Sequence, residues 1–262
     1  MPLQKEISKI VSTTAYNAYE AKLEKEVLSG EMPRHLAIIM DGNRRFAREM
    51  GMEPNSGHVK GREKLEEVIG WCQSAGIRVL TVYAFSTENF SRDEDEVELL
   101  MEMFEEKFRA LGDAERIHKN KIRIKVLGDR EMLPRGVQES IGYVEERTKD
   151  YDQNFYNIAI AYGGRQEIVY ALKQVAAKVK AGEVEVDEID EKMISQHMYT
   201  AHVPDPDLVL RTSGEVRISN FLLWQMAYSE FYFTDIYWPG FRYIDFLRAV
   251  RSYQQRRRRY GK

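Results

Sequence analysis

Cysteine is nearly missing from these 262 residues: Cys72 stands alone. A single thiol excludes an intramolecular disulfide framework and a cysteine-built zinc cluster, and it fits a reducing compartment. Its ordinary role is that of a small buried hydrophobe. An excess of charge of one sign is missing too, since 39 Lys+Arg face 42 Asp+Glu for a formal net charge of -3. No global positive field draws the chain to nucleic acid, and no basic stripe with spaced aromatics runs along it, so no nucleic-acid partner is expected and any anion site must be local. No apolar run approaches the roughly 20 residues that cross a bilayer, and no signal-peptide core opens the chain, so a cytoplasmic protein is expected. Internal repeats and low-complexity linkers are also missing. With 43% hydrophobic and 31% charged residues, the composition suits one compact unit.

What is present is an alternation. Residues 1-30 carry Leu3, Ile7, Ile10, Val11, Ala15 and Ala18 at near-helical spacing, which predicts an amphipathic helical arm packed on the body. Residues 31-262 then read as a single catalytic domain. Apolar runs at His35 to Met40, Val79 to Phe85, Ile122 to Leu127, Asn157 to Ala161, Leu208 to Leu210 and near Phe231 to Thr234 predict buried strands. Helical periodicity fills Gly61 to Ala75, Glu96 to Lys119, Gly136 to Tyr151 and Arg165 to Lys180. Strands alternating with crossover helices predict an α/β fold with a central, mostly parallel sheet flanked by helices. In such sheets ligands gather beyond the carboxyl ends of the strands, so the residues just after each run carry the functional question.

Three of these edges are rich in polar groups. The first, MDGNRRFAREMG, places Asp41 directly after a strand, then Gly42 and Asn43, then Arg44, Arg45 and Phe46 at a helix start. Free amide groups and arginines there suit a phosphate; Asp41 would repel it unless a magnesium ion lies between them, and the alternative is that Asp41 caps the helix. Neither a Walker pattern nor a GxGxxG is present. The second edge, YAFSTENFSR, gathers Ser86, Thr87, Glu88, Asn89, Phe90 and Arg92. It suits a ligand with a charged head and an apolar body, or else it is a turn that caps the following helix. The third, RTSGEVRISN, brings Arg211 and Arg217 together with Ile218 and Ser219. Diphosphate is a natural counter-charge for such a pair, and the plainer alternative is a solvated loop in which Glu215 pairs with Arg217.

These three segments, together with Gly57-His58 and the stretch from Arg211 to Pro239, closely resemble the cis-prenyltransferases, the undecaprenyl diphosphate synthase family, from about His35 to the C-terminus. The DGNRR form is most like archaeal and eukaryotic members. The resemblance implies a hydrophobic tunnel beneath the active site and condensation of an allylic prenyl diphosphate with isopentenyl diphosphate, leaving pyrophosphate. It implies Mg2+ as cofactor, with Asp41 and Asn89 in the catalytic positions and Asp41 and Glu230 in the acidic metal positions. Gly42, Asn43, Arg44, Arg45 and His58 match the allylic diphosphate site, and Arg211, Arg217 and Ser219 the isopentenyl site. In Arg259, Tyr260 and Gly261 it implies an RxG tail that reaches a neighbouring subunit, hence a homodimer. The apolar face from Phe221 to Tyr228 and the run from Phe231 to Trp238 are expected to contribute to that interface. Release of a polyprenyl product implies transient peripheral contact with a membrane.

The sequence also departs from the family pattern. Pro54 stands where bacterial members commonly carry an arginine, which leaves open transfer to a non-isopentenyl acceptor or an irregular condensation. A non-catalytic partner subunit is the third reading, disfavoured because Asp41, Asn89, Glu230 and the tail occur together. Small Ala84 is expected to line the tunnel, and Phe155 and Tyr156 either face it or are core aromatics.

Overall fold

Strands buried on both faces read as continuous apolar runs because crossover helices cover each side of a parallel sheet. In the computed structural model, which describes residues 16–260 and only the backbone of 257–260, six such runs form one sheet. They are β1 (His35–Ile39), β2 (Val79–Ser86), β3 (Ile122–Leu127), β4 (Asn154–Tyr162), β5 (Leu208–Arg211) and β6 (Glu230–Phe233). All neighbours are parallel, in the order β3-β4-β2-β1-β5-β6. The helices are α1 (16–28), α2 (Asn43–Glu49), α3 (Ser56–Ser74), α4 (Glu94–Asp113), α5 (Glu115–Lys119), α6 (Arg135–Thr148), α7 (Gly164–Lys180), α8 (Glu191–Gln196) and α9 (Tyr243–Tyr260). The expected single α/β domain is therefore present.

Two helices differ from the sequence pattern. Helix α3 begins at Ser56, ahead of the expected Gly61, because Gly57 lets it lie directly on α2: a β-carbon there would sit 2.1 Å from the Asn43 carbonyl oxygen. The helix expected over Glu96 to Lys119 divides at Ala114, whose extended backbone (φ -69, ψ 116) redirects α5 and carries Ile117 into the core.

Alternate residues of each strand feed two cores. Leu36, Ile38, Leu80 and Val82 join residues of α3, α4, α6 and α9 on one face, whereas Ala37, Ile39 and Tyr83 meet Phe221, Leu222 and Met226 on the other. The expectation that Phe221, Leu222 and Met226 belong to a subunit interface is thereby corrected: all three fill this chain's own interior. Tyr228 is fully exposed, and the β6 edge strand is half-buried. Helix α1 docks on α9 through buried Leu23 and Val27; Gln254 donates to the Val27 carbonyl at 2.9 Å and Tyr243 to Glu24 at 2.8 Å. Leu3, Ile7, Ile10, Val11 and Ala15 of the expected arm lie outside the described residues.

The topology fixes where a ligand can enter. From β1 the chain crosses to β2, β3 and β4 on one side, then to β5 and β6 on the other, so the connections diverge between β1 and β5. A crevice opens at such a switch point beyond the carboxyl ends of the strands.

Candidate active site

Asp41 and Arg211 sit at that switch point. Ile39 of β1 is in register with Arg211 of β5, and Asp41 follows two residues later. Arg211 donates from Nη2 to Asp41 Oδ2 at 2.7 Å, and Arg45, one turn into α2, donates to Asp41 Oδ1 at 3.0 Å. Thr212 locks the aspartate's backbone: its hydroxyl donates to the Asp41 carbonyl at 2.7 Å. Asp41 does not cap α2, since the N-cap is Gly42 and no side chain caps that helix. Gly42 is required there by its φ of +98 and by crowding, because a β-carbon would meet Tyr237 Cδ1 at 2.7 Å. Burial opposes ionisation of Asp41, but the hydrogen bonds and charges of Arg211 and then Arg45 outweigh it, and the carboxyl is held below its ordinary range.

The same network continues to the third edge. Arg45 donates to Glu215 Oε1 at 3.0 Å and to the Ser213 hydroxyl, and Arg217 pairs with the other oxygen of Glu215. Arg211 Nη1 donates to the Arg217 carbonyl and to Ser219 Oγ at 2.8 Å. The Glu215–Arg217 pair expected of a solvated loop is thus present, and it is also the outer end of a chain running Arg217, Glu215, Arg45, Asp41, Arg211. The loop is backbone-strained: Ser213, Ser219, Asn220 and Leu222 all have positive φ. Such conformations persist only where surrounding contacts over-determine them, and they cluster at ligand sites. Asn220 supplies one of these contacts by donating to Glu88 at 3.0 Å and to Gln166 at 3.1 Å. Ile218 packs against the second core.

A second network joins the first edge to the second. Glu96, buried in the first turn of α4, accepts from Arg92 at 2.8 Å and Arg44 at 3.0 Å and lies 3.3 Å from His58 Nε2. Glu96 was not among the sequence candidates, although its i,i+4 spacing from Arg92 is the signal that could have found it. Burial, then the repulsion of nearby Arg92 and Arg44, lowers the His58 pKa against the attraction of Glu96. Ser86 and Asn89 form the reciprocal cap of the 3-10 turn Thr87–Ser91, with Asn89 Oδ1 accepting from Ser86 N at 3.0 Å. This pair caps its own 3-10 turn and not the following helix, whose N-cap is Asp93, and Thr87 and Glu88 are tied into the turn's outer face. Phe90 stacks edge-on against Phe85, and Phe46 is half-buried beside Gly240.

Between the sheet and helices α3 and α4 lies an apolar cavity of about 110 Å³. Met40, Asn43 and His58 line its upper end, and Ala84, Leu100, Phe104 and Tyr156 its walls. Tyr156 faces this space, whereas Phe155 points to the opposite side of the sheet, where its ring lies 6.2 Å from that of His202. Asn43 Oδ1 and Arg211 Nε are buried without hydrogen-bond partners among the described residues.

Glu230 is not brought to Asp41. It opens β6 in register with Leu208, whose partner on β1 is Leu36. At a rise of about 3.3 Å per residue this sets it roughly 16 Å back along the sheet from Asp41, toward the amino edge. There it pairs with Arg256 at 3.1 Å. Within one chain the two acidic positions therefore lie far apart along the sheet. Of the tail, Arg259 is described by its backbone alone, and Gly261 lies outside the described residues.

Comparison with known proteins gives one consistent placement. Residues 39–261 match the prenyltransferase family described as undecaprenyl diphosphate synthase. A tritrans,polycis-undecaprenyl-diphosphate synthase (geranylgeranyl-diphosphate specific) of Methanocaldococcus jannaschii is 55% identical over 93% of this chain and 88% of its own length. The enzyme of the same name from Pyrococcus horikoshii is 51% identical over 98% of this chain and 97% of its own. The crystal structure of lavandulyl diphosphate synthase from Lavandula x intermedia, in complex with dimethylallyl diphosphate, superposes with a TM-score of 0.81 at 38% identity, covering 85% of this chain and 95% of that one. With a family match over most of its length and relatives above half identity, the chain belongs to the undecaprenyl diphosphate synthase family of prenyltransferases.

Proposed function

We propose that this chain condenses an allylic prenyl diphosphate with isopentenyl diphosphate, forming a new cis double bond and releasing pyrophosphate. The observation that carries this reading is the arrangement of Arg45, Arg211 and Arg217 on the carboxylates of Asp41 and Glu215, at the switch-point crevice and above an apolar cavity. Guanidinium forks suit pyrophosphoryl oxygens, and a cavity with apolar walls suits the hydrocarbon. Charge builds on the leaving pyrophosphate as its carbon-oxygen bond breaks, so cations already in place there stabilise the transition state more than the ground state. Arg44, Arg45 and His58 serve the allylic diphosphate, and Arg211, Arg217 and Ser219 the isopentenyl diphosphate. The archaeal relatives are named as specific for geranylgeranyl diphosphate, and we assign the same donor here.

Magnesium fits the first edge. No group of three or more His, Cys, Asp or Glu able to hold a metal occurs among the described residues. Magnesium is commonly held by one or two carboxylates together with substrate phosphates. Asp41 is the carboxylate placed for this, a quarter exposed on its side chain and held between two arginines. A bound ion supplies charge neutralisation between Asp41 and the diphosphate, which otherwise repel. Asn89 positions groups and is not a base, because its oxygen already accepts from Ser86 N and an amide is a poor proton acceptor. A homodimer that uses the half-buried β6 edge and exposed Tyr228 accords with the apolar character left at that edge. No helix among the described residues is long and apolar enough to cross a membrane; transient contact with a bilayer at product release belongs to this reading because a polyprenyl chain is strongly apolar.

The test supplies purified protein with labelled isopentenyl diphosphate, magnesium and allylic primers of several lengths. Extended products in regular C5 steps are expected, with the best turnover from geranylgeranyl diphosphate and loss on chelation. No product from any primer contradicts the reading; a single branched or irregular product favours the alternative coupling that Pro54 raised.

A further inference from the structure

Helix α7 has no cap of its own. Its N-cap is Gly163, which offers no side chain, so the first amides of the helix need partners from elsewhere. Asn220, 55 residues beyond Arg165, supplies them: its main-chain carbonyl accepts from Gly164 N at 2.6 Å, and its Oδ1 accepts from Arg165 N at 2.9 Å. The two glycines make room for this contact. A β-carbon on Gly164 would meet the Asn220 carbonyl oxygen at 3.1 Å, and one on Gly163 would meet Asn220 Nδ2 at 2.7 Å. The other end of the Asn220 amide turns to the second edge, where Nδ2 donates to Glu88 Oε1 at 3.0 Å and to Gln166 Oε1 at 3.1 Å. Asparagine also tolerates the left-handed backbone, φ +62, that this position demands. One side chain thus bolts together the third-edge loop, the 3-10 turn of the second edge and the start of α7.

We propose that Asn220 is a positioning residue for isopentenyl diphosphate, holding the loop of Arg211 and Ser219 in register with the turn of Asn89; this role rests on the condensation proposed above. Ser219 directly precedes Asn220 and accepts from Arg211 Nη1 at 2.8 Å. Asn89 directly follows Glu88 and caps the turn with Ser86. The spacing of loop and turn therefore sets where the acceptor's carbon lies once its phosphates are bound, and a misplacement of about 1 Å in such a register costs on the order of 10²-fold. The loop cannot keep that spacing unaided, because Ser219, Asn220 and Leu222 all have positive φ and need outside contacts to hold them there. Arg44 and His58, assigned to the allylic diphosphate, are held by a separate carboxylate, Glu96. Loosening the joint therefore acts on the acceptor and spares the donor.

The test is steady-state kinetics of the full chain with magnesium, varying each substrate in turn. Asn220→Asp keeps the acceptor for Arg165 N, and a carboxylate at a helix start is a good cap, so thermal unfolding should stay near the parent's. It also sets two carboxylates face to face where Asn220 now donates to Glu88. The KM for isopentenyl diphosphate is expected to rise about tenfold, the worth of one hydrogen bond to a charged group, with the KM for geranylgeranyl diphosphate within about twofold of the parent's. Adding Glu88→Gln reverses donor and acceptor across the joint and is expected to recover most of that rise. An unchanged isopentenyl KM in Asn220→Asp, or a parallel rise in both KM values that Glu88→Gln does not rescue, overturns the proposal. Should Asn220→Asp fail to fold by circular dichroism, Glu88→Ala, which leaves the α7 cap in place, decides by the same split between substrates. Titration calorimetry with magnesium and isopentenyl diphosphate alone separates the two readings. A parent that binds isopentenyl diphosphate about tenfold tighter than Asn220→Asp but forms no product keeps the joint and loses the proposed function, and a parent that does neither loses both.

Discussion

Two polar networks lie on the same sheet and differ in almost every physical respect. Deep in the strands, His35 Nδ1 donates to the Pro204 carbonyl at 2.6 Å, which leaves Nε2 to accept from Thr81 Oγ1 at 2.7 Å. Thr81 in turn accepts from Asn157 Nδ2 at 3.0 Å, and Asn157 Oδ1 accepts from His202 Nε2 at 3.0 Å. This chain crosses β1, β2 and β4, is neutral throughout, and pairs every group it contains. The network at the carboxyl edge is ionic, sits on a loop with four non-glycine residues at positive φ, and leaves Asn43 Oδ1 and Arg211 Nε unpartnered. Buried polar groups are costly unless satisfied, so a fully satisfied set belongs to stability and an under-satisfied charged set to a ligand. The contrast separates residues that hold the sheet together from residues that the proposed function assigns to pyrophosphate.

The largest expected effect breaks the charged network alone. Asp41→Asn keeps the side chain's shape and removes its charge; turnover with geranylgeranyl and isopentenyl diphosphates is expected to fall by about 10²- to 10³-fold, comparable to the loss of a key transition-state contact. Thermal unfolding of the same variant should stay near the parent's. A comparable loss of stability would place Asp41 in the structural set.

The next effect belongs to the neutral network and is read in pH. Burial pushes the His35 pKa down from 6.5 to about 4, with partial opposition from the Pro204 hydrogen bond. Its stability contribution is therefore whole above pH 6.5 and is lost as pH falls toward 4, because the unfolded chain takes up the proton first. The loss amounts to about 3 kcal/mol. His202 shifts in the same direction through burial and then the neighbouring Lys125 and Arg123. Denaturant unfolding at pH 7 and pH 4.5 checks this; a flat profile would contradict the burial of a neutral His35.

Thr81→Val removes the hydroxyl between His35 and Asn157 and is expected to destabilise by about 2 kcal/mol, because two buried partners lose their bonds. Steady-state kinetics of this variant should match the parent's.

Legibility in the sequence divides along the same line. Asp41 and Arg211 could be found because each directly follows an apolar strand at a carboxyl edge, and HLAII reads as a buried strand without ambiguity. The partnership of Arg45 with Glu215 could not be read, since 170 residues separate them and only the β1–β5 register brings them together. Glu96 was hidden in the acidic first turn of α4, where Glu94, Asp95 and Glu96 all resemble helix-start residues. Phe221, Leu222 and Met226 were read as part of an interface because an apolar run shows that a face is covered but not what covers it. The place of Glu230 on the sheet could not be read either, because a sequence motif carries no statement about which end of a strand a residue occupies. His35, Thr81, Asn157 and His202 come from four distant segments, and no local pattern unites them.

The smallest expected effect sharpens the comparison within the charged set. Glu96→Gln loosens Arg44, Arg92 and His58 from their shared carboxylate without touching Asp41. The KM for the allylic diphosphate is expected to rise about tenfold, with kcat changed less, since positioning and not leaving-group stabilisation is lost. An equal fall in kcat would instead assign Glu96 to the chemical step.

The central claim is that Asp41 and Glu215 hold Arg45, Arg211 and Arg217 ready for pyrophosphoryl groups. A crystal structure of the protein with magnesium, isopentenyl diphosphate and an unreactive thiolo analogue of geranylgeranyl diphosphate tests it most directly. The account predicts all three guanidinium groups hydrogen-bonded to diphosphate oxygens, and the prenyl chain in the cavity beside Ala84 and Tyr156. Diphosphates bound elsewhere, with the Arg211–Asp41 and Arg45–Glu215 pairs intact, would contradict it.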